Sequence, residues 1–425
     1  MEQAETKMRS EFISKYRDLF AIVRDGKLLS NAGWLYLSSA IMSAFGAAFW
    51  IIAARLASPE VVGGSMFILN VVEAMAIFSL LGINSTVVRE WNGVKDKGKY
   101  FGSALLVIWA MSLVILFPYF FLAGAQYSWG IILAVAFFVL VLDFNAMLDS
   151  VYIAELKPKL LLVRNIGHAV LKVGLVYFLI LVSPNSGIVY TCILAMALGT
   201  LALCLYTRKS GLFPTGVSLQ ALRMLLRKWR FALSNYVLHS FDHLWLSLLP
   251  VLVILWVGKA GGGYFYIPWY MSCQLVFIAN AVAMSLFAEG SANEVDLAAN
   301  IEKIKKLLKY ALIPLALLGA LLGRYLLYLF GGDYYEQGGF VLSLLFVACI
   351  PFVIISIFKA VSRVKRMTLE ISLIWTVLIT LTLIPSFILV PTHGVVALGY
   401  SWLGANSLVA CYALFRMGRM GIRIL

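Results

Sequence analysis

The sequence predicts an all-α polytopic membrane protein with twelve transmembrane helices in two six-helix bundles and both termini in the cytoplasm. Three observations predict this class. Of the 425 residues, 62% are apolar and only 13% are charged, whereas about a quarter of the residues of a soluble globular protein are charged. The apolar residues form long uninterrupted segments, and the basic residues collect on one side of those segments. This composition excludes a soluble enzyme, a disulfide-rich secreted scaffold and a disordered chain.

The apolar segments are long enough to cross a bilayer as helices, because a helix rises about 1.5 Å per residue and the hydrocarbon core is about 30 Å thick. Lipid tails offer no hydrogen-bond partner to backbone N–H and C=O groups, so a spanning segment must be a helix or a strand of a closed barrel. These segments lack the alternation of short barrel strands. Twelve are predicted: 30–54, 61–88, 101–124, 127–150, 160–182, 187–207, 231–257, 262–288, 310–330, 339–358, 369–390 and 395–415.

The positions of lysine and arginine predict the orientation. Of the 34 basic residues, 30 lie in the two terminal tails or in the loops expected on the same side of the membrane as the tails. Only Arg55, Lys259 and Arg324 lie on the opposite side, and Lys172 lies within a span. Basic residues accumulate in cytoplasmic loops, so we expect cytoplasmic termini and a multi-pass protein of the cell membrane. The net charge of +14 suits an anionic inner leaflet, and we expect no nucleic-acid partner.

An internal repeat is indicated by the alignment of 63–90 with 262–289, which superimposes a leading glycine pair and a closing glutamate. Each half holds an even number of segments, so the two copies share one orientation, as in parallel-repeat transporters. A substrate would then lie between the halves. The predicted parts are an amphipathic cytoplasmic segment at 1–29, a six-helix bundle at 30–207, a cytoplasmic linker at 208–230, a second bundle at 231–415 and a cytoplasmic tail at 416–425.

Charged side chains occur in the middle of several apolar segments, where each costs roughly 2.5–3.5 kcal/mol on insertion scales. Glu73 and Lys172 each lie about 18 Å into their segments, and Asp242 is almost as deep. Polar neighbours at helical spacing extend these positions into stripes on one helix face. The predicted cavity residues are Asn70, Glu73, Asp143, Asn165, His168, Lys172, Asn235, His239, Asp242 and His243.

Two interpretations of these residues remain open from the sequence, and both can hold. The groups could pair, Lys172 with Glu73 or Asp143, and lock the halves together, or they could line a wet pathway for a substrate or an ion. His239 and His243 are one turn apart, with no cysteine and no third histidine nearby, so we predict no metal site. A role for either histidine in proton relay stays open. No nucleotide-binding, zinc-protease, nucleophile-elbow or dinucleotide motif occurs, so we predict no enzyme activity and no cofactor.

Two stretches carry a family resemblance. FWIIAARLASPEVVGGSMFI (Phe49 to Ile68) resembles the junction of the first two helices in prokaryotic polysaccharide and O-antigen flippases. These form the Wzx-like branch of the multidrug/oligosaccharidyl-lipid/polysaccharide (MOP) exporter superfamily, which also contains the multidrug (MATE) transporters. AELKPKLLLVRNIGHAVLKVGL (Ala154 to Leu175) is similar to the family's basic entry into its fifth helix. The chain departs at His243, where many relatives have arginine, and its first helix lacks an acid that ion-coupled multidrug members often use.

The resemblance implies a MATE-like fold and a flippase for surface polysaccharide biosynthesis. Such a protein moves a polyprenyl-(pyro)phosphate-linked oligosaccharide from the cytoplasmic to the outer leaflet by alternating access. Lys172 would contact the phosphate or an acidic sugar, while Glu73, Asp143 and Asp242 would accept hydrogen bonds from the glycan or carry protons. The implied partners are the lipid-linked substrate, membrane lipids, H+ or Na+, and machinery that polymerises or exports glycan. The alternatives are an ion-coupled multidrug or small-metabolite antiporter, a glycan-processing enzyme and a channel.

Overall fold

A computed structural model describes residues 27–123, 128–155, 157–207, 213–292, 302, 305–365 and 367–422. Within these ranges, the side chains at 27–40, 122–123, 158, 234–235, 237–246, 281–292 and 368 are not described. The described residues form helices joined by short turns and contain no β-strand. The prediction of an all-α chain is confirmed.

The amino-terminal half contains seven helices and is followed by one helix in the linker. They are α1 (Lys27–Leu56), α2 (Pro59–Leu80), α3 (Ile83–Glu90), α4 (Lys97–Ala123), α5 (Trp129–Ala154), α6 (Pro158–Val182), α7 (Gly187–Thr207) and, in the linker, α8 (Leu219–Arg227).

The carboxy-terminal half begins with a helical run, Trp229–Ala292, that is broken at Gly258 by non-helical angles of φ 76° and ψ 177°. The break separates α9 (229–257) from α10 (259–292). A π-helical turn at Leu308–Leu312 then leads into the last four helices. These are α11 (Ile313–Leu326), α12 (Gly332–Val364), α13 (Thr368–His393) and α14 (Val396–Arg419).

Nine helices of the described chain are long and apolar enough to cross a membrane. One of the nine, Ser247–Asn280, contains the break at Gly258. A further apolar helix, Ile41–Leu56, is shorter and is not counted among the nine. The prediction of a multi-pass membrane protein is therefore confirmed at the level of helix length and composition.

The helices pack as two groups. In the amino-terminal group, α6 lies against α1 and α7, and α2 lies against α4 and α5. In the carboxy-terminal group, α12 lies against α10, α11 and α14, while α13 packs on α14. The main contact between the groups is made by α2, which packs along the run Trp229–Ala292. We refer below to this contact, together with the contacts of α1 with α10, as the seam.

Glycines allow the two groups to approach at backbone distance. A Cβ atom on Gly63 of α2 would lie 1.9 Å from the carbonyl oxygen of Lys259 and 2.9 Å from the backbone nitrogen of Gly263. Reciprocally, a Cβ on Gly263 would lie 2.5 Å from the carbonyl oxygen of Pro59. These residues belong to the two segments that the internal alignment superimposes, so the aligned helices lie against each other.

The seam continues on α1 toward the end of the molecule that carries Arg55, which we call the Arg55 end. Ser43 donates a hydrogen bond to the side-chain oxygen of Gln274 on α10. The ring centroids of Trp50 and Tyr266 are 5.6 Å apart. In the last turn of α1, Arg55 Nε donates to the carbonyl oxygen of Leu329 at 2.9 Å. Contacts between the groups are thus frequent toward this end.

The opposite end carries most of the described lysines and arginines, and we call it the basic end. Here α2 ends at Leu81 and Gly82, whose φ angles of 46° and 73° are left-handed, and α3 continues toward Glu90. A Cβ on Gly82 would lie 2.1 Å from the carbonyl oxygen of Ala232 in α9. Glycine is required here by both the φ angle and the close approach.

One carboxylate anchors the basic end of the amino-terminal group. Glu155 accepts hydrogen bonds from Lys97 Nζ at 2.5 Å and from Trp91 Nε1 at 2.8 Å. Hydrogen bonding to Lys97, and secondarily to Trp91, holds the pKa of Glu155 below its ordinary value. The connection after α5 is therefore tied to the start of α4.

We expect Gly63→Ala to destabilise the protein and Gly64→Ala to be tolerated. Both changes add the same methyl group and the same gain in helix propensity, but a Cβ at Gly64 meets only Lys259 Cδ, at 3.6 Å. Overpacking at Gly63 should cost about 1–3 kcal/mol. The midpoint of thermal unfolding in detergent measures the difference. Equal midpoints for the two variants would show that the backbone contact at the seam is absent.

Candidate functional site

Glu73 lies in the middle of α2, where this helix faces both groups. Its side chain is exposed to solvent, yet it lies deep among protein atoms and interacts electrostatically with Lys172 of α6 and with the hydroxyl of Ser247 on α9. The hydroxyl of Tyr266 on α10 is also within electrostatic range of Glu73. Glu73 therefore has polar neighbours on both groups, and we call the region around Glu73, Lys172, Ser247 and Tyr266 the central chamber.

Lys172 is held by aromatic rings. Its Nζ lies 4.0 Å from the ring centroid of Phe49 and 5.6 Å from that of Trp50. Both rings are almost fully buried, with exposures of 0% and 3%. The negative faces of aromatic rings attract a cation, and the attraction strengthens where water is excluded. The rings replace part of the lost hydration of the amine without neutralising its charge.

Lys172 does not form a close ion pair with a carboxylate. Among the described residues, no nitrogen–oxygen distance of 4.0 Å or less joins Lys172 to Glu73 or to Asp143. The interpretation in which these groups simply pair and lock the halves together is therefore not supported for Lys172. A lysine amine that has no close carboxylate partner can contact an anionic ligand.

Asn70 lies one turn from Glu73 on α2 and is buried. Its Nδ2 donates a hydrogen bond to the carbonyl oxygen of Met66 at 2.8 Å. One N–H of the Asn70 amide therefore binds its own helix, and the amide oxygen remains available as an acceptor for other contacts.

Asp143 does not lie in the central chamber, which corrects the sequence prediction. Its side chain is fully buried at the junction of α2, α4 and α5. The carboxylate accepts a hydrogen bond from Ser79 Oγ at 2.6 Å and another from Ser112. Asp143 was predicted among the cavity residues, but its side chain points into the interior of the amino-terminal group, where two hydroxyls donate hydrogen bonds to it.

A line of basic groups runs along one face of α6. Arg164, His168 and Lys172 are four residues apart, a spacing that stacks side chains on one helix face. His168 is partly buried and interacts electrostatically with both Lys172 and Arg164. A Cβ on Gly199 of α7 would lie 3.4 Å from the His168 backbone nitrogen, so α7 covers the neighbouring face.

Arg164 belongs to a polar network that includes Asn165. The Arg164 guanidinium donates to Asp149 Oδ1 at 2.5 Å, to Asn145 Oδ1 at 2.9 Å and to Asn165 Oδ1 at 2.9 Å. Asn145 also accepts a hydrogen bond from Thr200 at 2.8 Å. Asn165 therefore takes part in a network of α5, α6 and α7, and its oxygen is engaged by Arg164.

The remaining predicted residues lie on α9. The helical backbone of α9 includes Asn235, His239, Asp242 and His243, but their side chains lie outside the described residues. Their place relative to the central chamber therefore stays a prediction. Among the described residues, no group of three or more histidine, cysteine, aspartate or glutamate side chains could hold a metal ion.

The aromatic and hydroxyl groups around Lys172 and Glu73 were not predicted as site residues from the sequence. Phe49, Trp50 and Tyr266 occur in segments rich in apolar and aromatic residues, where nothing in the local pattern distinguishes a cation contact from core packing. Tyr270 stacks on Tyr266 with a centroid separation of 6.2 Å. Arg164 could have been found, because it continues the four-residue spacing of His168 and Lys172.

No protein-family model and no curated protein matches the sequence. Solved structures do resemble it. An inward-facing multidrug resistance MATE family transporter of the MOP superfamily superposes with a TM-score of 0.65 at 15% identity, covering 89% of this chain and 94% of that one. A MOP superfamily transporter from Pyrococcus furiosus, described as having a binding pocket of reverse polarity that suggests a different function, gives 0.61 at 14% identity, with 92% and 94% covered.

A third solved structure, a point mutant of the Vibrio cholerae MATE transporter VcmN, gives a TM-score of 0.59 at 14% identity. It covers 92% of this chain and 97% of that one. Identities this low show the fold alone. The chain therefore has the fold of MOP superfamily transporters.

We expect substituted cysteines to distinguish the chamber from the core. In a background without the five native cysteines, Glu73→Cys should react with a hydrophilic methanethiosulfonate reagent, whereas Asp143→Cys should not. The Lys172 amine should make an anionic reagent react about tenfold faster than a cationic one at position 73. Mass spectrometry of the labelled protein measures the rates.

The matched control is the same labelling after Lys172→Gln, which should remove the preference for the anionic reagent. Rapid labelling of Asp143→Cys, or a reagent preference that survives Lys172→Gln, would contradict the geometry of the chamber.

Proposed function

We propose that the protein is a membrane flippase that translocates a polyprenyl-(pyro)phosphate-linked oligosaccharide from the cytoplasmic to the outer leaflet. Surface polysaccharide biosynthesis is the process that such a transporter serves. The single observation that carries the proposal is the charged amine of Lys172, held over Phe49 and Trp50 in mid-membrane without a close ion pair to Glu73 or Asp143. The fold of MOP superfamily transporters supports a transport function.

The chemistry of the chamber suits an anionic, hydroxyl-rich head group. Lys172 would contact the phosphate or an acidic sugar, and Glu73 would accept hydrogen bonds from sugar hydroxyls. Asn70 and His168 lie beside these two residues on α2 and α6, and Asn235, His239, Asp242 and His243 would complete the lining from α9. The prenyl tail can stay in the bilayer while the glycan crosses the chamber, so the protein need not expose the tail to water. Asp143 has no place in this contact set.

We place the basic end in the cytoplasm, following the distribution of lysine and arginine. In this arrangement twelve spans form bundles at 30–207 and 231–415, joined by the linker 208–230, in the cell membrane. The Arg55 end then faces outward. Alternating access would have to break the hydrogen bonds of Arg55 with Leu329 and of Ser43 with Gln274 to open the outer side.

An ion gradient would drive turnover, because the sequence carries no nucleotide-binding motif. One elementary charge that moves through 100 mV gains about 2.3 kcal/mol, so one or two coupled ions, H+ or Na+, are sufficient. Glu73, Asp242 and the histidines of α9 are the proposed carriers of a coupled proton. Glycan polymerase or export machinery would receive the product.

An ion-coupled multidrug or small-metabolite antiporter fits the fold equally well, because the solved structures that resemble this chain include multidrug transporters. The charge of the chamber is what separates the two functions. A lysine contact such as Lys172 favours an anionic group of the substrate, whereas a pocket lined by carboxylates alone would favour cationic compounds. We therefore retain the antiporter as the alternative.

We expect Lys172→Ala to abolish translocation while the protein still inserts and folds. Removal of the amine leaves the substrate phosphate without its counter-charge in mid-membrane, which should reduce the rate at least about 100-fold. Lys172→Arg is the matched control and should keep a measurable rate. The assay follows a fluorescent polyprenyl-pyrophosphate oligosaccharide in proteoliposomes. Normal translocation by Lys172→Ala would reject the phosphate contact, and export of toxic cations instead of the glycan lipid would favour the antiporter.

We also expect translocation in proteoliposomes to accelerate when a pH gradient or a membrane potential is imposed. Glu73→Gln should reduce the response to the pH gradient if this carboxylate carries the coupled proton. Translocation that ignores both the pH gradient and the potential would contradict the proposed coupling while leaving the flippase function itself in place.

A further inference from the structure

The linker between the two groups is docked on the amino-terminal group. The backbone nitrogen of Thr215 donates to the carbonyl oxygen of Gly98 at 3.2 Å, and that of Ser218 donates to Ser103 Oγ at 3.0 Å. A Cβ on Gly102 would lie 2.2 Å from the carbonyl oxygen of Gly216. This segment leads directly into α8, which is therefore fixed against the start of α4 at the basic end.

Helix α8 has two distinct faces. On the inner face, Leu225 is buried in the core of the amino-terminal group together with Ala221 and Met224. On the outer face, Leu219 and Leu226 are 74% and 64% exposed. Leucines seven residues apart lie on the same face of a helix, so α8 presents an apolar stripe to its surroundings.

Helix α4, on which α8 packs, also carries exposed apolar side chains. Leu106, Leu113 and Phe117 of α4 are each exposed by 46% or more, as expected for the lipid-facing side of a membrane span. Gly102 and Ser103, one turn before Leu106, are the residues on which the linker docks. The exposed leucines of α8 therefore begin where the lipid-facing surface of α4 reaches the basic end.

Arginines accompany the leucines on the outer face. Arg223 and Arg227 are exposed, and among the described residues it is Lys228, not either arginine, that forms an ion pair from this segment. Like charges four residues apart on a helix repel each other, so an anion between them would be stabilising. The chain contains no acidic residue between Glu155 and Asp242, which leaves no carboxylate of this segment to fill that role.

We propose that α8 is an interfacial helix that binds anionic lipid headgroups. Leu219 and Leu226 insert among the acyl chains, and Arg223 and Arg227 together bind a lipid phosphate at the membrane surface. Amphipathic helices with arginine beside an apolar face bind membranes in this way, and anionic lipids strengthen the binding. Exposed Trp229, which closely follows α8, adds an aromatic anchor of the kind found at membrane interfaces.

The residues that follow α8 connect it to the seam between the two helix groups. Lys228, the next residue along the chain, pairs with Glu90 at 3.2 Å, and the Arg89 guanidinium lies 4.3 Å from the Phe231 ring centroid. Ala232 then meets Gly82 at the break between α2 and α3. A headgroup that fixes α8 therefore also fixes the segment that joins the two groups.

The test measures lipid preference and does not depend on transport. The full-length protein in a neutral detergent is mixed with equal amounts of phosphatidylglycerol and phosphatidylcholine, and the lipids that it retains are counted by native mass spectrometry. Wild type should prefer phosphatidylglycerol. Each arginine near a membrane surface is worth about fivefold in affinity, so Arg223→Gln with Arg227→Gln should reduce the preference by up to about 30-fold.

Two controls complete the experiment. Arg223→Lys with Arg227→Lys keeps both charges and should retain the preference. Lys95→Gln with Lys99→Gln removes two charges of the same spacing from the same end, where Lys99 pairs with Asp96 at 2.9 Å, and should also retain it. The proposal is overturned if wild type shows no preference, if the glutamine variant of α8 keeps it, or if the Lys95 and Lys99 variant loses as much.

Discussion

The cost of a charged amine in the middle of a membrane protein is the constraint on which the rest of this structure depends. The Lys172 amine lies over the rings of Phe49 and Trp50, and its electrostatic neighbour Glu73 is near but not within ion-pair distance. Such a group is stable only beside water or a ligand. A polar chamber between two helix groups provides that environment, and an anion of the substrate would complete it.

Helix α2 joins the two groups through close backbone contacts. Gly63 and Gly82 permit backbone contact with the carboxy-terminal group at two heights, near Lys259 and near Ala232. Glu73 lies between those two contacts along α2. The glycines therefore hold the two groups together on both sides of the level at which Glu73 meets Lys172, Ser247 and Tyr266.

Much of the fold could be predicted from the sequence, because apolar length and the absence of strand alternation dictate membrane helices. The repeat of 63–90 in 262–289 stays a prediction, although the two aligned segments do lie against each other. The site was less predictable. Asp143 was expected in the cavity because it is a charged residue in an apolar segment, but such a position does not determine which way the side chain points. Ser79 and Ser112 donate hydrogen bonds to this carboxylate inside the core. The ring contacts of Lys172 arise from tertiary packing, which no local spacing encodes.

The most direct test of the central claim is a cryo-electron microscopy structure of the protein in lipid nanodiscs with a polyprenyl-pyrophosphate oligosaccharide. The account predicts density for a phosphate or an acidic sugar within hydrogen-bond distance of Lys172 Nζ, with glycan density extending toward Glu73. A head group bound elsewhere, or Glu73 and Lys172 in contact with acyl chains and no chamber between the groups, would contradict it.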